Sequence, residues 1–270
     1  MKVLITGAAS GLGKALALLY AQNGAQICAV DLNQQDGQAV VDSIQRNNGE
    51  AFFLTCDITQ QADVDRLAVE VEKQWGALDV LINNAGVATA GLVPFEDMET
   101  WQWVMDINLL GHVRMTKALL PFIQKSQASA RAIINTASQA GLICAPGMGS
   151  YCASKAAMVS FSETLYLELA HQGIHVSVAC PEFFDTNLNK SLRSNQPGMD
   201  TVVDRLVKNS GISADEIAHK IVKGVNAKEY MIVTHKRGRN AFRLKRFFPK
   251  QYFKKMKNLT ARYTKPSASS

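Results

Sequence analysis

Seven short stretches of the chain are apolar almost without interruption: KVLIT (2–6), QICAVD (26–31), AFFLTCD (51–57), LDVLINN (78–84), RAIINTAS (131–138), HVSVACP (175–181) and YMIVT (230–234). Runs of this length, rich in β-branched residues and lacking the polar alternation of a half-exposed sheet, predict strands buried on both faces. Between them apolar positions recur at helical spacing, which predicts helices over 11–23, 35–48, 60–75, 97–125 with a break near Asn108, 151–171 and 213–226. Strands separated by helices need crossover connections. The pattern therefore predicts an α/β fold: a Rossmann-like, doubly wound parallel β-sheet of about seven strands, flanked by helices in a single domain.

The connection after the sixth strand, 183–212, is longer than a crossover requires and has no clear apolar period. Extra chain at the carboxyl end of a sheet strand commonly covers a ligand site, so this segment is expected to be a substrate lid on a catalytic unit spanning 1–235. Its Lys190 and Arg193 are read as exposed helix charges before any contact with a substrate anion.

Residues 236–270 differ in kind. The net charge of +6 conceals 12 of the 29 Lys and Arg residues between Lys236 and Lys265, with no acidic residue after Glu229 and 17 basic against 23 acidic groups in residues 1–235. A body of net −6 carries a tail of +12. Pro249 can start a helix there, with Tyr252, Phe253, Met256 and Leu259 on one face and lysines on the other. Such a basic amphipathic extension, 236–265, suits an anionic membrane surface. Packing across the acidic body or a partner subunit competes with that reading, and nucleic acid, which shares the composition, is the weaker expectation.

No run approaches the roughly 20 apolar residues of a spanning helix, and MKVLITGAASG enters a strand directly, without the apolar stretch of a signal segment. The five cysteines (Cys28, Cys56, Cys144, Cys152 and Cys180) show no C-x-x-C spacing and no partner histidines. This argues against a disulfide framework and against a metal site, and for a reducing, cytoplasmic setting with any membrane contact peripheral.

Candidate chemistry begins where the first strand runs into TGAASGLG, with Gly7, Gly11 and Gly13 ahead of the first helix. Glycines in a strand-to-helix turn allow close backbone approach to a pyrophosphate, which the free N–H groups and dipole of the helix N-terminus attract. The spacing is G-x-x-x-G-x-G rather than the G-x-G-x-x-G of the common dinucleotide fingerprint. Asp31 ends the second strand where an acidic side chain can hold the ribose hydroxyls of NAD and repel the 2′-phosphate of NADP. Ser10 and Leu32 beside it are neutral, and Lys14 is the nearby cation that keeps NADP in play. NAD is the expected cofactor.

Further on, SYCASKAAM (150–158) sets Tyr151 and Lys155 four apart on one helical face among small residues. An ammonium beside a phenol favours the phenolate, so Lys155 is expected to lower the Tyr151 hydroxyl from its ordinary pKa of about 10. With TGAASGLG, Asp57 in CDIT, NNAG (83–86), Asn108 in NLLG, Ser138 in IINTAS and YCASK (151–155) in that order, the chain resembles the short-chain dehydrogenase/reductase (SDR) family over residues 1 to about 235. The resemblance implies that Ser138 binds the substrate oxygen and Tyr151 exchanges its proton. It implies that Lys155 holds the nicotinamide ribose and tunes Tyr151, and that Asn108 supports a water relaying protons to Lys155. The cofactor site it implies comprises Gly7, Ser10, Gly11, Leu12, Gly13, Asp31, Asp57, Ile58, Asn84, Ala85, Gly86, Tyr151, Lys155, Pro181 and Thr186, the last bonding the nicotinamide carboxamide. A homodimer or homotetramer, paired through the helices at Asn108 and Tyr151, is implied as well. One departure is Pro181-Glu182 where the family usually has Pro-Gly, which sets a side chain either beside the cofactor ring or out in solvent.

Independently of any resemblance, hydride transfer to a carbonyl builds alkoxide character, and Ser138 and Tyr151 can both reach one oxygen if the fifth strand ends beside the Tyr151 helix. His112, His171, His175, His219 and His235 stand isolated and are read as structural or exposed. Gln139 to Met148 after the fifth strand, with Phe183, Phe184 and the lid that follows, form the expected substrate walls; AGLICAPGMG and the two phenylalanines are apolar and carry no arginine clamp, which points to a hydrophobic secondary alcohol or its ketone. The alternatives are an NADP-dependent carbonyl reductase and a cofactor-binding sensor or scaffold without catalysis.

Overall fold

The structure, a computed structural model, describes residues 1–184, 191–199, 201, 203, 205 and 210–264, with side chains as far as Ala261. Seven parallel strands, β1 (Lys2–Thr6), β2 (Gln26–Asp31), β3 (Ala51–Thr55), β4 (Val80–Asn83), β5 (Arg131–Thr136), β6 (Ile174–Cys180) and β7 (Met231–Val233), form one sheet in the order β3-β2-β1-β4-β5-β6-β7. Alternation along each strand explains why both faces are apolar. Val3, Ile5, Ile27, Ala29, Val80 and Ile82 enter the core under α1 (Gly11–Gln22), α2 (Gln34–Arg46) and α7 (Ala214–Asn226). Leu4, Cys28, Val30, Leu81 and Ile133 enter the opposite core, under α3 (Gln61–Trp75), α5 (His112–Lys125) and α6 (Gly149–Leu169). This is the doubly wound sheet that the apolar pattern predicts.

Local chemistry sets the helix boundaries. Asn33 accepts from the Asp36 N–H at the start of α2, Asp97 from the Thr100 N–H at the start of α4 (Met98–Met105), and Ser213 forms a capping box with Glu216 at α7. The expected break near Asn108 is instead a π-helical segment, Asp106–Gly111, that joins α4 to α5 without interrupting the helix. A single wide turn absorbs one extra residue and sends Asn108 inward, where it is fully buried.

The basic extension forms α8 (Lys236–Phe247) and α9 (Pro249–Thr264), with Pro249 in the first turn of α9. It lies against its own body: Gln139 Nε2 donates to the Gly238 carbonyl (3.0 Å), Lys245 Nζ donates to the Leu142 carbonyl (2.7 Å), and Tyr252 is buried. The four residues expected on one face of α9 divide. Tyr252 and Met256 turn toward the body, whereas Phe253, rotated roughly 100° from Tyr252, is exposed, and so is Leu259. Among the described residues no helix is long and apolar enough to cross a membrane.

Candidate active site

β1 and β4 are neighbours although the chain leaves them in opposite directions, so their carboxyl ends open the crevice where sheets of this winding bind ligands. The turn after β1 holds Gly7 at φ +67° and Gly11 at φ +52°, conformations that a side chain would strain. At Gly13 a Cβ would stand 2.0 Å from the Gly7 carbonyl oxygen, so only glycine lets α1 close onto the turn. Ser10 occupies the N-cap of α1 with no side-chain capping bond, leaving the first-turn N–H groups of Gly11, Leu12 and Gly13 without a side-chain partner of that kind. The opposite lip is pinned by Thr6, whose Oγ1 accepts from the backbone N–H of Asn84 (2.9 Å) and of Ala85 (3.1 Å), while Asn84 Nδ2 donates to the Thr6 carbonyl (3.1 Å).

Asp31, half-buried at the end of β2, accepts from Ala9 N–H (3.0 Å) inside the glycine turn and from Asn33 N–H (3.0 Å). Asp57 accepts from the backbone N–H and the hydroxyl of Thr59 (2.9 and 2.7 Å), which shapes the loop carrying Ile58; that side chain is buried against Gly111 of the π segment. A glycine cradle, a helix start free for an anion and a carboxylate at the end of the second strand fit a dinucleotide.

The other half of the site hangs on β5 and α6. Ser138 follows β5; its Oγ accepts from Ala140 N–H (3.1 Å) and donates to the Pro181 carbonyl (3.5 Å), and it is close enough to Tyr151 to favour the phenolate. Tyr151 and Lys155 are both buried on α6, with Lys155 Nζ donating to the Thr136 carbonyl (3.0 Å) and standing 5.9 Å from the centre of the Tyr151 ring. Asn108 accepts from Val87 N–H (2.9 Å) through Oδ1 and donates through Nδ2 to the Val87 carbonyl (3.0 Å) and to Ser154 Oγ (3.1 Å). A Cβ at Gly86 would come within 3.1 Å of Asn108 Oδ1 and 3.4 Å of Lys155 Nζ, so the missing side chain keeps a gap between those two groups.

Burial dominates the electrostatics. The expected lowering of Tyr151 does not hold in this structure: removing the phenolate from water pushes its pKa up to about 12, and the nearby Ser138 hydroxyl offsets only part of that. Lys155 is itself pushed down to about 8 by burial and aims its N–H at Thr136. His112 is pushed down to about 3 by burial and by Lys155, so it is neutral, and its Nε2–H donates to the Ala85 carbonyl (2.7 Å). It is structural, bracing the Asn84–Gly86 lip.

Several supports had no signal in the sequence. Glu96 accepts from the N–H and hydroxyl of Ser150 (3.3 and 2.8 Å), capping α6 from a distant loop. A buried seam, Asn83 to Asn135 (2.9 Å) to Ser162 (2.9 Å), ties β4, β5 and α6 beneath the site. His235 is not isolated: its Nδ1 accepts from the Glu182 N–H (3.4 Å) and from Thr234 Oγ1 (2.8 Å), which anchors the segment after Pro181. The Pro181 carbonyl accepts from Gln139 N–H (2.7 Å). Phe183 and Leu192 pack beside Tyr151, Cys152 and Met148 as an apolar wall, whereas Phe184 turns away into the core under α1 and α7. Arg193 stacks 3.9 Å over Trp103. Thr186 and Lys190 lie outside the described residues.

Residues 1–197 match the family described as short chain dehydrogenase. Over 219 residues the chain is 31% identical to the 3-oxoacyl-acyl-carrier-protein reductase FabG of Thermotoga maritima, covering 81% of this chain and 87% of that protein. It is 34% identical over 190 residues to the 3beta-hydroxysteroid dehydrogenase of Mediterraneibacter gnavus, covering 70% of this chain and 67% of that one. The crystal structure of a short chain dehydrogenase/reductase from Burkholderia phymatum in complex with NAD superposes with a TM-score of 0.87 at 28% identity, covering 93% of this chain and 94% of that one.

Proposed function

Since the chain belongs to the short-chain dehydrogenase family, we propose that it is an NAD-dependent oxidoreductase that interconverts a hydrophobic secondary alcohol and its ketone. The observation that carries this reading is Tyr151 and Lys155 buried together on α6, with Lys155 Nζ 5.9 Å from the centre of the Tyr151 ring and Ser138 at the end of β5 beside them. When bound, the nicotinamide cofactor supplies or accepts the hydride. Gly7, Ser10, Gly11, Leu12 and Gly13 would hold its pyrophosphate, Asp31 the adenosine ribose, Asp57 and Ile58 the adenine side, and Asn84, Ala85, Gly86, Pro181 and Thr186 the nicotinamide half.

In the reducing direction the carbonyl oxygen accepts from Ser138 Oγ and the Tyr151 hydroxyl, and Tyr151 gives up its proton as negative charge builds there. A charged Lys155 stabilises the phenolate left behind, and Asn108 holds the Val87 turn and Ser154 in register with it. In the oxidising direction Tyr151 takes the proton. Phe183, Leu192 and Met148 keep water from the reacting oxygen and favour an apolar substrate body. The names of two relatives fit that class, one carrying an oxo group and the other a hydroxyl. An NADP-dependent carbonyl reductase, or a cofactor-binding sensor or scaffold, is the alternative. A screen of lipophilic secondary alcohols with NAD and with NADP decides: NAD-linked oxidation is expected, and no turnover with either cofactor would leave the sensor reading.

The protein acts as a homodimer or homotetramer in the cytoplasm, with the tail at an anionic membrane surface. Exposed Phe247, Phe248, Phe253 and Leu259 among the tail's basic residues support that last element, because the inward face of the tail is already taken by its own body.

A further inference from the structure

The connection after β6 doubles back onto the loop that follows β4. Arg193 N–H donates to the Ala88 carbonyl (3.1 Å) and Ala90 N–H to the Arg193 carbonyl (3.0 Å), which makes a parallel bridge between Thr89 and Arg193. Gln196 Oε1 accepts from Leu92 N–H (2.8 Å). Two side chains then reach α4: Asn195 Nδ2 donates to Asp97 Oδ2 (2.7 Å), and the Arg193 guanidinium lies 3.9 Å over the Trp103 ring. Arg193 lies in this bridge rather than on a helix, and both it and Asn195 are exposed, so neither is there to fill a core.

The same loop is bonded to the substrate wall as well. Gly91 N–H donates to the Gly147 carbonyl (2.8 Å), and the Thr89 and Ser150 hydroxyls stand 2.6 Å apart. Asp97 works in two directions: Oδ1 caps α4 by accepting from Thr100 N–H (2.7 Å) while Oδ2 takes the Asn195 amide, so one carboxylate joins the connection to the helix that runs on through the π segment to Asn108. What these bonds hold in place is Leu192. It packs on Ala88, Met148, Tyr151 and Cys152 and also on Ala90 and Val203. Met199 lies over Gly147, where a Cβ would stand 2.8 Å from its Cε.

We propose that Arg193 and Asn195 are positioning residues that latch 191–196 onto α4 and so seat Leu192 in the apolar wall beside Tyr151. Affinity for the apolar body of the substrate then depends on two polar residues that are not themselves part of that wall. A connection left loose is ordered only when substrate arrives, at a cost in conformational entropy that is taken out of binding; one already held to α4 spares the substrate that cost. The cation over the indole and the amide on the carboxylate fix the chain two residues apart, just after Leu192, whereas the 4.0 Å approach of Arg193 to Glu99, between exposed groups, adds little. Removing either restraint lowers the fraction of molecules with Leu192 seated, and the apparent substrate affinity falls by the same fraction while the reacting groups stay where they are. The consequence for substrate rests on the oxidoreductase reading; the latch itself does not.

Hydrogen exchange and kinetics on the full-length Arg193→Ala, Asn195→Ala and doubly substituted chains test this. Exchange followed by mass reads the latch without turnover: peptides covering 88–92 and 191–196 are expected to exchange faster in the double variant, with peptides from β1 and β4 unchanged. In the kinetics, KM for a long-chain secondary alcohol is expected to rise roughly 10-fold, the factor for a seated population cut to about a tenth, with kcat and NAD affinity held. KM for a short alcohol that does not reach Leu192 should barely move, a split that a merely structural role would not produce. Unchanged exchange in both peptides overturns the latch, and faster exchange with the same KM change for long and short alcohols overturns the positioning role. A native chain that turns over no alcohol refutes the oxidoreductase reading instead, and the exchange result then upholds or overturns the latch by itself.

Discussion

At Tyr151 two effects oppose each other, and their sizes decide the protonation state: burial pushes the phenol up to about 12 while Ser138 pulls it down. The hydroxyl is thus a donor across the neutral range, and alcohol oxidation, which needs the phenolate, should accelerate as pH rises. Tyr151→Phe keeps the ring and removes the proton; kcat is expected to fall by roughly 10²- to 10⁴-fold with cofactor affinity nearly intact, and unchanged turnover would remove Tyr151 from the mechanism. Lys155 gives a stability signature. Its folded value, about 8, lies below its unfolded 10.5, so between those values the unfolded chain binds more protons and stability rises with pH. The gain is complete above 10.5 and absent below 8, roughly 3 kcal/mol across the window. Denaturant titrations at several pH values should show it in the native chain and not in Lys155→Met. Asp31 makes a different prediction: Asp31→Ala should narrow the preference for NAD over NADP by removing a charge that repels the 2′-phosphate, as measured by the two cofactor affinities, though the loss of its bonds to Ala9 and Asn33 should also loosen the glycine turn.

Among the elements, α6 shows how a distant residue sets the register of the helix that carries Tyr151 and Lys155. Its N-cap, Met148, contributes no side-chain bond, and Glu96 supplies the acceptor for Ser150 instead. Glu96→Ala should lower stability by about 1 kcal/mol in thermal or denaturant unfolding and weaken turnover through misplacement of Tyr151 rather than loss of any reacting group. The strands were legible because burial on both faces writes itself as continuous apolar runs, and Tyr151 with Lys155 because four residues make about one helical turn. Asn108 was legible as an interruption but not as a π segment, since one extra residue in a turn leaves no apolar signature. Glu96 on Ser150, Gln139 on Gly238 and His235 on Glu182 were hidden for a common reason: each is a meeting of segments that no local period connects. The direction of the Tyr151 shift was misjudged because a sequence displays the neighbouring charge and not the depth of burial.

For the molecule as a whole, the tail has two faces with separate tests. The inward face holds the wall of the site through Gly238, Lys245 and Tyr252, so truncation after Thr234 should lower the unfolding midpoint. On the outward face, replacing Phe247, Phe248 and Phe253 together by Ser should leave the fold intact. The native chain is expected to sediment with anionic and not neutral vesicles and to be released by salt, each engaged basic group contributing on the order of 1 kcal/mol. If the triple variant sediments as well as the native chain, the aromatic contacts play no part, and a native chain that ignores anionic vesicles at low salt refutes membrane docking.

The bonds from Gln139 to Gly238 and from Lys245 to Leu142 span 99 and 103 residues. On the ribosome, where a chain emerges from its N-terminus at about 5–20 residues per second, the glycine turn and its neighbouring strands are complete long before α8 appears. The nascent protein passes through an interval in which its dinucleotide crevice exists and its substrate wall still lacks two anchors. A ribosome stalled before Gly238 would carry a chain whose glycine turn is already formed while the 139–142 segment still lacks the bonds that Gly238 and Lys245 supply.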